Sequence, residues 1–347
     1  MDVDKKYMYR CLQLALNGKG FVAPNPMVGA VIVCDDKIIG EGYHRQYGEA
    51  HAEVNAIKSV KDKSLLPKST IYVSLEPCSH YGKTPPCAQL IIDCKIPRVV
   101  IACLDPYPSV SGRGIKMLRE AGVDVVVGIL EKEAQYLNKE FFTAQKNNRP
   151  YIYLKWAQTA DGFIDKKRKE GQIPKPTPIS NNFMRMMVHK KRAEVSSIMI
   201  GTNTAVNDNP SLTTRFWYGN NPIRVVLDRQ GRISSENKLF DGEVKTIVLT
   251  DTEKEPVKNV EYIKVDFDDN LLESIFCVLR EHKINSVLVE GGRELLQSFI
   301  DKELWDEAFI ETSNTVFGSG IEAPLLNGNI IKEQKWASSR QVHMRHK

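Results

Sequence analysis

Residues 51–60 read HAEVNAIKSV, and residues 70–87 read TIYVSLEPCSHYGKTPPC. Between them these stretches supply one imidazole, His51, and two thiols, Cys78 and Cys87. One histidine and two cysteines are three zinc ligands, which leaves the fourth tetrahedral position for a water molecule. Glu53 lies two residues after the histidine, where a carboxylate that does not bind the metal can carry protons. This spacing is typical of hydrolytic base deaminases.

Two other interpretations of the same residues exist. The three side chains could form a structural zinc site, or be an ordinary histidine with two buried thiols. Structural zinc sites usually have four protein ligands, and the sequence supplies only three here. The pattern therefore favours an open, catalytic site.

The residues around these ligands predict a regular local structure. Residues 28–34 and 38–43 are apolar, β-branched runs separated by a short polar turn, so they predict a hairpin. We expect a helix over residues 51–60, a strand over residues 70–75, and a new helix opened by Pro85-Pro86-Cys87. His51, Cys87 and Cys78 would then lie at or near helix N-termini, where the helix dipole favours a thiolate.

Length and composition indicate a soluble protein of two domains. The chain has 347 residues, 42% of them hydrophobic and 26% charged, and its net charge of +5 is mild. We find no secretory signal and no apolar run long enough for a membrane span, so we expect a cytoplasmic protein. In a reducing compartment we expect the seven cysteines to serve as metal ligands or to remain as thiols rather than to form disulfides. The five that we interpret as buried or incidental thiols are Cys11, Cys34, Cys94, Cys103 and Cys277.

A domain boundary is predicted near residue 147. Residues 146–150 read KNNRP, a polar segment that ends in a helix-breaking proline. We therefore predict domains over residues 1–147 and 150–347. Strand-like runs alternate with amphipathic helix patterns on both sides of the boundary, which indicates an α/β fold in each half. The expected strands are residues 99–103, 123–127, 151–156, 195–201, 223–228, 246–250 and 286–290, and the expected helices are residues 131–144, 271–283 and 294–302.

Several motifs narrow the interpretation further. In the first half, the eight residues between Cys78 and Cys87 accompany APNPMVG at residues 23–29 and GYH at residues 42–44. In the second half the motifs are Leu154-Lys155, Asp161-Gly162, TAVNDNP at residues 204–210 followed by Leu212 and Arg215, and VEGG at residues 289–292. With these motifs the two halves resemble the deaminase and reductase domains of the bifunctional riboflavin-biosynthesis enzymes.

The resemblance implies a fold and two consecutive reactions. It implies an N-terminal cytidine-deaminase-like mixed sheet with flanking helices, and a C-terminal dihydrofolate-reductase-like α/β domain. The first reaction would hydrolyse the 2-amino group of 2,5-diamino-6-ribosylamino-4(3H)-pyrimidinone 5′-phosphate to a carbonyl. In the second, NADPH would reduce the ribosyl group to a ribityl side chain. The implied cofactors are one zinc ion per chain and NADPH.

The family roles can be assigned to residues of the first half. They make His51, Cys78 and Cys87 the zinc ligands and Glu53 the proton shuttle. The implied substrate contacts are Asn25, His44, His80 and Lys83. A cation such as Lys83 is also chemically suited to meet a phosphate. The plainer alternatives are a solvated loop lysine for Lys83 and a structural histidine for His44.

In the second half the resemblance implies that Ala157, Thr204, Asp208, Gly292, Arg293, Glu294 and Leu295 contact NADPH. It implies that Arg192, Leu212, Arg215 and Glu290 contact the substrate, and two arginines suit a phosphate. Gly291-Gly292 follows a predicted strand and precedes a helix, so its backbone N–H groups could approach a pyrophosphate. A simple tight turn is the alternative. Gly112-Arg113-Gly114 also follows a predicted strand and precedes a helix. It lies in the deaminase half, however, and Met117 stands where the dinucleotide-binding motif has its third glycine, so we do not expect a dinucleotide site there.

The chain departs from the family at two places. Tyr107 stands where the family often has an asparagine, and a phenol cannot replace an amide's paired donor and acceptor. The family's Ser-x-Trp pair is replaced within residues 175–180, which read KPTPIS. The preceding residues 166–169 read KKRK and are interpreted as a solvated loop, a nuclear-localisation signal or an anion contact, for example to the 2′-phosphate of NADPH.

Two hypotheses of other classes compete with this one. A nucleic-acid-editing deaminase would need a strongly basic face and aromatic platforms, which the mild charge does not favour. A non-catalytic, zinc-stabilised binding protein would have no use for Glu53. We expect a small phosphoribosyl pyrimidine as ligand, a homo-oligomer, and neither nucleic acid nor a membrane as partner.

Overall fold

The computed structural model describes residues 2–80, 85–107, 111–168 and 176–347. It divides the chain into two compact units, Met1–Asn148 and Arg149–Lys347. Each unit has its own sheet and its own hydrophobic core. Within the described ranges, no helix is both long enough and apolar enough to cross a membrane.

The first unit is a mixed sheet flanked by helices. Its helices are α1 (Val3–Ala15), α2 (Ala52–Ser59), α3 (Cys87–Asp93), α4 (Arg113–Glu120), α5 (Glu131–Leu137) and α6 (Lys139–Asn147). Its strands are β1 (Gly29–Cys34), β2 (Lys37–Tyr43), β3 (Thr70–Val73), β4 (Arg98–Ile101) and β5 (Asp124–Val127), in the order β2-β1-β3-β4-β5. Strand β1 is antiparallel to β2 and β3, whereas β3, β4 and β5 are parallel.

The sequence pattern explains this arrangement. All six residues of β1 are buried, because α2, α3 and α4 pack on one face of the sheet and α1, α5 and α6 on the other. The β1–β2 turn consists of Asp35 and Asp36, both with positive φ, which aspartate tolerates better than most residues. Gly42 lets α2 approach β2 closely, because a Cβ atom there would lie 2.3 Å from the backbone nitrogen of Ala56. The predicted hairpin and mixed sheet are confirmed.

One helix prediction in this unit is wrong in detail. Residues 131–144 were expected to form one helix, but the chain forms α5 and α6 with Asn138 between them. The buried side chain of Asn138 accepts a hydrogen bond from the Met27 backbone nitrogen at 2.8 Å and donates one to the Met27 carbonyl at 2.9 Å. This long-range pairing competes with the helical conformation at Asn138.

The second unit is built on a larger sheet. Its strands are β6 (Tyr151–Gln158), β7 (Phe163–Asp165), β8 (Ser197–Ile200), β9 (Ile223–Leu227), β10 (Thr246–Thr250), β11 (Val260–Lys264), β12 (Ser286–Val289), β13 (Glu307–Ser313), β14 (Ile321–Glu322), β15 (Asn329–Trp336) and β16 (Ser339–Arg345). Its helices are α7 (Asn182–Glu194), α8 (Thr202–Asp208), α9 (Leu271–Glu281) and α10 (Arg293–Asp301). The predicted α/β alternation is confirmed.

The strand order places a crevice at the carboxyl ends of two central strands. The large sheet runs β11-β10-β9-β8-β12-β6-β13-β16-β15, and β7 pairs with β14 separately. From β8 the chain moves outward through β9, β10 and β11, and then returns so that β12 lies between β8 and β6. Neighbouring parallel strands whose connections lead away in opposite directions leave a crevice at their carboxyl ends, where ligands of α/β proteins commonly bind.

Candidate functional site

His51, Cys78 and Cys87 come together in the first unit. Their ligand atoms all lie within 4.8 Å of one another. The His51 Nδ1 atom lies 3.3 Å from the Cys87 sulfur and 3.7 Å from the Cys78 sulfur. One imidazole nitrogen and two thiol sulfurs in such a cluster are a donor set that zinc prefers.

The secondary structure explains why these side chains meet. His51 is the N-cap residue of α2, Cys87 is the first residue of α3, and Cys78 follows β3. The backbone nitrogen of Cys87 donates to the Cys78 sulfur at 3.3 Å, so Cys78 also lies at the N-terminus of α3. The predicted placement near helix N-termini is confirmed, and it favours negative charge on the sulfurs.

Hydrogen bonds within this cluster shift the pKa values of all three side chains. Hydrogen bonds from Cys87 and His51 lower the pKa of Cys78 to about 4, against the opposing effect of burial. A hydrogen bond to Cys78 likewise raises the pKa of His51 to about 9. The pKa of Cys87 is raised by its hydrogen bond to Cys78 and by burial. The cluster thus holds one thiolate readily, and a bound cation would displace the remaining protons.

Glu53 lies beside the cluster but is not part of it. It belongs to the first turn of α2 and is only 3% exposed. Burial raises the pKa of its carboxyl to about 7, although the positive charge of His51 opposes the shift. A buried carboxyl that can be protonated or ionised near neutral pH suits a general acid and base.

A hydrogen-bonded chain orders the residues around His51. The His44 ring packs edge-on against the His51 ring, with centroids 5.6 Å apart. His44 Nδ1 faces the Ala50 carbonyl at 3.1 Å and must donate to it, so His44 Nε2 accepts from the Asn25 amide at 3.3 Å. Burial lowers the pKa of His44, which agrees with a neutral ring. The Asn55 amide also donates to the Ala50 carbonyl, at 3.2 Å, a contact that the sequence analysis missed.

Glu76 is a second residue that the sequence analysis missed. Its carboxylate is buried and accepts hydrogen bonds from four backbone nitrogens, those of Asp105, Gly112, Gly114 and Ile115, at 3.0 to 3.4 Å. Gly114 must be a glycine, because a Cβ atom would lie 2.1 Å from the Pro77 carbonyl oxygen. Glu76 therefore fixes the N-terminus of α4 against the segment that carries Cys78. The signal in the sequence was the acid in Glu76-Pro77-Cys78.

The remaining predicted deaminase contacts lie near the edge of the described structure. His80 is exposed, two residues after Cys78. Lys83 lies outside the described residues. Tyr107 is 48% exposed, and its backbone nitrogen donates to the Asp105 carboxylate at 2.8 Å. A phenol at this position can offer a ligand its hydroxyl group but not the paired donor and acceptor of an amide.

In the second unit, three of the predicted cofactor residues lie on the helices that follow β8 and β12, Thr204 in α8, and Gly292 and Leu295 at the start of α10. Gly291 has a φ of +124°, and Gly292 is the N-cap of α10. The Thr204 hydroxyl lies against this turn, since Cβ atoms on Gly291 and Gly292 would be 3.5 and 3.4 Å from it. Leu295 is buried, and its Cβ lies 4.0 Å from the position that a Gly201 Cβ would take. The structure thus brings Thr204 against the Gly291-Gly292 turn, and Leu295 against Gly201 at the start of α8.

The other predicted cofactor residues are more dispersed. Ala157 lies in β6, in register with Glu311 of β13. Arg293 and Glu294 are exposed in the first turn of α10, and the Arg293 guanidinium lies 3.7 Å from Glu322. Asp208 ends α8, half-buried, and burial together with the charge of Asp165 raises its pKa to about 6.

The basic run at residues 166–169 is only partly solvated. Lys166 and Lys167 are exposed, and Lys169 lies outside the described residues. Arg168 pairs with Asp165 and lies 3.9 Å from Asp208. One cation of the run therefore reaches a predicted cofactor residue.

The segment after the run is tied to the sheet. The Thr177 hydroxyl donates to Asp165 at 3.0 Å, and Ser180 donates to the buried carboxylate of Glu311. Residues 169–175 lie outside the described ranges, so Lys175 is not placed. Thr177 and Ser180 thus bond to β7 and β13 in the region where the family has its Ser-x-Trp pair.

The predicted substrate residues of the second unit form a charged cluster. The Arg192 guanidinium pairs with the Glu290 carboxylate at 2.6 Å, and both side chains are nearly buried. Burial disfavours the charged Glu290, but the attraction of Arg192 and Lys155 prevails and lowers its pKa. Arg215 is exposed, whereas the Leu212 side chain is buried in the core and its φ is +52°. Three of the four residues thus present charged groups, and Leu212 can offer only its backbone.

Comparison with known proteins follows the division into two units. Residues 1–103 match the cytidine and deoxycytidylate deaminase zinc-binding region, and residues 150–345 match the RibD C-terminal domain. The family match therefore extends through β16 to residue 345.

Full-length relatives and solved structures agree with these matches. The riboflavin biosynthesis protein RibD of Aquifex aeolicus is 38% identical over 98% of this chain and 95% of its own length. That of Escherichia coli is 34% identical over 91% and 89%. The crystal structure of a diaminohydroxyphosphoribosylaminopyrimidine deaminase/5-amino-6-(5-phosphoribosylamino)uracil reductase from Thermotoga maritima superposes with a TM-score of 0.89 at 38% identity, covering 99% of both chains. RibD of Acinetobacter baumannii superposes with a TM-score of 0.87 at 30% identity, covering 99% and 98%. With a zinc-binding deaminase region followed by a RibD reductase domain, the chain belongs to the RibD family of bifunctional riboflavin-biosynthesis enzymes.

Proposed function

We propose that the chain catalyses two consecutive reactions on one pyrimidine. The first unit deaminates 2,5-diamino-6-ribosylamino-4(3H)-pyrimidinone 5′-phosphate and releases ammonia. The second unit then reduces the ribosyl group of the product to a ribityl group with NADPH. The observation that carries the proposal is the three-ligand cluster of His51, Cys78 and Cys87 with the buried Glu53 beside it.

The zinc ion would be held by His51, Cys78 and Cys87. Their donor atoms fit zinc in type and mutual distance, and three ligands leave one position for solvent. Zinc in such a site activates water at neutral pH. Glu53 would carry protons between the water, a ring nitrogen and the leaving amine, because burial raises the pKa of its carboxyl to about 7 and the carboxyl lies outside the ligand set.

The substrate of the first unit would be oriented by Asn25, His44, His80 and Lys83. The hydrogen bond from Asn25 to His44 fixes the amide, so the Asn25 side-chain oxygen can accept a hydrogen bond from the pyrimidine. His80 and Lys83 follow Cys78 within the spacer, where a cation can meet the substrate phosphate.

NADPH would lie along the crevice between β8 and β12. It supplies the hydride, and the protein supplies position and electrostatics. Thr204 and the N-terminus of α10, residues 292–295, would contact its phosphates, and Asp208 and Ala157 would contact it elsewhere. The nearby Arg192, Leu212, Arg215 and Glu290 would bind the substrate, with the Arg192–Glu290 pair holding the carboxylate in a fixed orientation.

The test is the Glu53→Gln variant, assayed for ammonia release and NADPH oxidation. Glutamine keeps the size of the side chain but cannot accept a proton, and the zinc ligands are untouched. Zinc should remain bound while deamination falls by about 10²–10⁴-fold. When given the deaminated pyrimidine, the variant should still oxidise NADPH. When given the diamino substrate, it should consume almost no NADPH.

Three results would contradict the proposal. Normal deamination by the variant would remove Glu53 from the reaction. Failure of a zinc-loaded variant to reduce the deaminated compound would exclude two independent sites. Ammonia release from RNA in place of the pyrimidine would favour an editing deaminase.

We further propose that the protein is cytoplasmic and assembles as a homo-oligomer. All seven cysteines are free thiols, which suits a reducing compartment. Light scattering on purified protein would test the assembly, and a monomeric mass would contradict it.

A further inference from the structure

The side-chain amide of Asn55 links the main chain before His44 to the main chain before His51. Asn55 is the fourth residue of α2 and is half-buried. Its Nδ2 donates to the Tyr43 carbonyl at 2.9 Å and to the Ala50 carbonyl at 3.2 Å. An amide nitrogen has two N–H bonds, so both donors are used within the protein.

The two carbonyls belong to peptide groups that matter for the site. The Tyr43 carbonyl is part of the peptide group that leads into His44, and the Ala50 carbonyl is part of the one that leads into His51. Tyr43 is the last residue of β2, and His51 is the N-cap of α2. One small side chain therefore holds the backbone directly before the proposed substrate contact and directly before the proposed zinc ligand.

The side chain of His44 returns to the same carbonyl. His44 is buried, its Nδ1 donates to the Ala50 carbonyl at 3.1 Å, and its ring packs edge-on against the His51 ring with centroids 5.6 Å apart. The Ala50 oxygen thus accepts one hydrogen bond from Asn55 and one from His44, which uses both of its lone pairs. Because Asn55 fixes this acceptor, it also fixes the direction in which the His44 ring points.

Helix α2 is attached to β2 at a second place, away from the histidines. A Cβ atom on Gly40 would lie 2.7 Å from the Ala56 carbonyl, so the helix and the strand are in backbone contact there. The Ser59 hydroxyl accepts from the Glu41 backbone nitrogen at 2.9 Å and donates to the Ala56 carbonyl at 2.7 Å. Asn55 and Ser59 thus make similar numbers of hydrogen bonds, but only those of Asn55 lead to the site.

We propose that Asn55 is a positioning residue of the deamination reaction. It sets the distance and the orientation of His44 relative to His51, and therefore of the bound pyrimidine relative to the metal site. The inference rests on the proposed deaminase function and adds a residue to which the sequence motifs assigned no role. Asn55 acts through two backbone carbonyls, and a displacement of about 1 Å at a reacting centre can lower a rate about 10²-fold.

The experiment compares Asn55→Leu with the wild type. Leucine has about the size of asparagine and suits a helix, but it has no N–H group to donate. The kcat/KM for ammonia release from the diamino substrate should fall about 10- to 100-fold, as is usual when a residue that orients a metal site is lost. Zinc should still bind, but a chromogenic chelator should remove it about tenfold faster. Reduction of the deaminated pyrimidine by the second unit should not change.

Ser59→Ala is the matched control on the same helix. It removes the hydrogen bonds between the Ser59 hydroxyl and residues 41 and 56, and leaves those of Asn55 in place. Calorimetry should show a similar loss of thermal stability of the first unit in both variants. Ammonia release and zinc release by Ser59→Ala should nevertheless match the wild type, because its bonds do not lead to either histidine.

A double-mutant cycle with His44→Ala tests the route of the effect. If Asn55 acts by holding His44, its replacement matters less once the imidazole is gone. The loss of kcat/KM in the double variant should then be at least about tenfold smaller than the product of the two single losses. A purely structural role of Asn55 would not produce this coupling.

The outcomes separate the inference from the function on which it rests. Normal ammonia release by zinc-loaded Asn55→Leu, an equal loss in Ser59→Ala, or single losses that simply multiply in the double variant would each overturn the inference. A zinc-loaded wild type that releases no ammonia would refute the proposed deaminase function itself. A loss confined to Asn55→Leu, with faster zinc release and coupling to His44, supports the inference.

Discussion

Replacing Glu76 by glutamine should loosen the first unit at its zinc cluster. In the protein, one carboxylate oxygen accepts from Gly114 and Ile115, and the other accepts from Gly112 and Asp105. Glutamine keeps one of these oxygens. It replaces the other by an NH₂ group, which cannot accept and would face two backbone donors.

The magnitude follows from this count. Two backbone N–H groups lose their acceptor in a buried site, and each unsatisfied group costs about 1–3 kcal/mol. The expected destabilisation of the unit is therefore about 3 kcal/mol. With a urea dependence of about 2 kcal/mol per molar for a domain of this size, the unfolding midpoint should fall by about 1.5 M. Because Pro77 and Cys78 follow Glu76 directly, zinc should be released in the same transition.

The chain offers an internal control for this measurement. All four tryptophans, Trp156, Trp217, Trp305 and Trp336, lie in the second unit, so tryptophan fluorescence reports on that unit. Zinc release, followed with a chromogenic chelator, reports on the first. In Glu76→Gln the zinc transition should shift to lower urea while the fluorescence transition stays in place.

A matched variant controls for the loss of one charge from the same region. Glu120 lies at the other end of α4, in an exposed pair with Lys116, and such pairs contribute about 0–1 kcal/mol. Glu120→Gln should leave both transitions unchanged. If Glu76→Gln releases zinc at the same urea concentration as the wild type, the four hydrogen bonds do not stabilise the site.

Three other predictions follow from the structure and the family. Cys78→Ser and Cys87→Ser should each lose zinc and deaminase activity, because a neutral hydroxyl replaces a thiolate poorly, and full zinc content in either variant would refute its ligand role. The kcat/KM with NADPH should exceed that with NADH at least tenfold, and equal turnover with both cofactors would contradict this preference. Replacing Lys166 and Lys167 by neutral residues tests whether the basic run contributes to the preference. Burial and nearby arginines lower the pKa of His189 to about 4, so the unfolded state binds an extra proton between about pH 4 and pH 6.5. The free energy of unfolding of the second unit should therefore fall by about 2 kcal/mol from pH 7 to pH 5. The measurement is the urea midpoint, followed by tryptophan fluorescence, of the wild type and of His189→Asn. If His189→Asn keeps the full pH dependence, this histidine is not the cause of it.

The zinc cluster could be predicted from sequence because its chemistry is carried by a few residue types at characteristic spacing. His51, Cys78 and Cys87 are informative wherever the chain places them, since few other arrangements require two thiols, an imidazole and a nearby acid. The strands were predictable for a related reason. Buried strands such as β1 and β8 are continuous apolar runs, and such runs are visible in the sequence without knowledge of their partners.

Long-range contacts could not be predicted in this way. The break between α5 and α6 depends on Asn138 meeting Met27, 111 residues away. The sequence motifs named Arg192 and Arg215 as substrate contacts, but the compensation of Arg192 by Glu290 requires the fold to bring α7 and β12 together. The edge hairpin β15–β16 was not predicted, because most residues of β15 are exposed and give no apolar run.

The two glycine-rich turns show how the same local pattern acquires different functions. Gly112-Arg113-Gly114 begins α4 and Gly291-Gly292 begins α10, so both expose backbone N–H groups at a helix N-terminus, where an anion is favoured. At α4 the anion is the protein's own Glu76, and the close approach of Pro77 to Gly114 excludes anything larger. At α10 no side chain among the described residues caps the helix, and the Thr204 hydroxyl lies beside the turn. An N-terminus that is already occupied by a carboxylate stabilises the fold, whereas one that is left uncapped at the carboxyl end of parallel strands can accept a phosphate. This difference in occupancy, which the glycine spacing alone does not reveal, gives the first turn a structural role and supports the proposal that the second turn binds the cofactor.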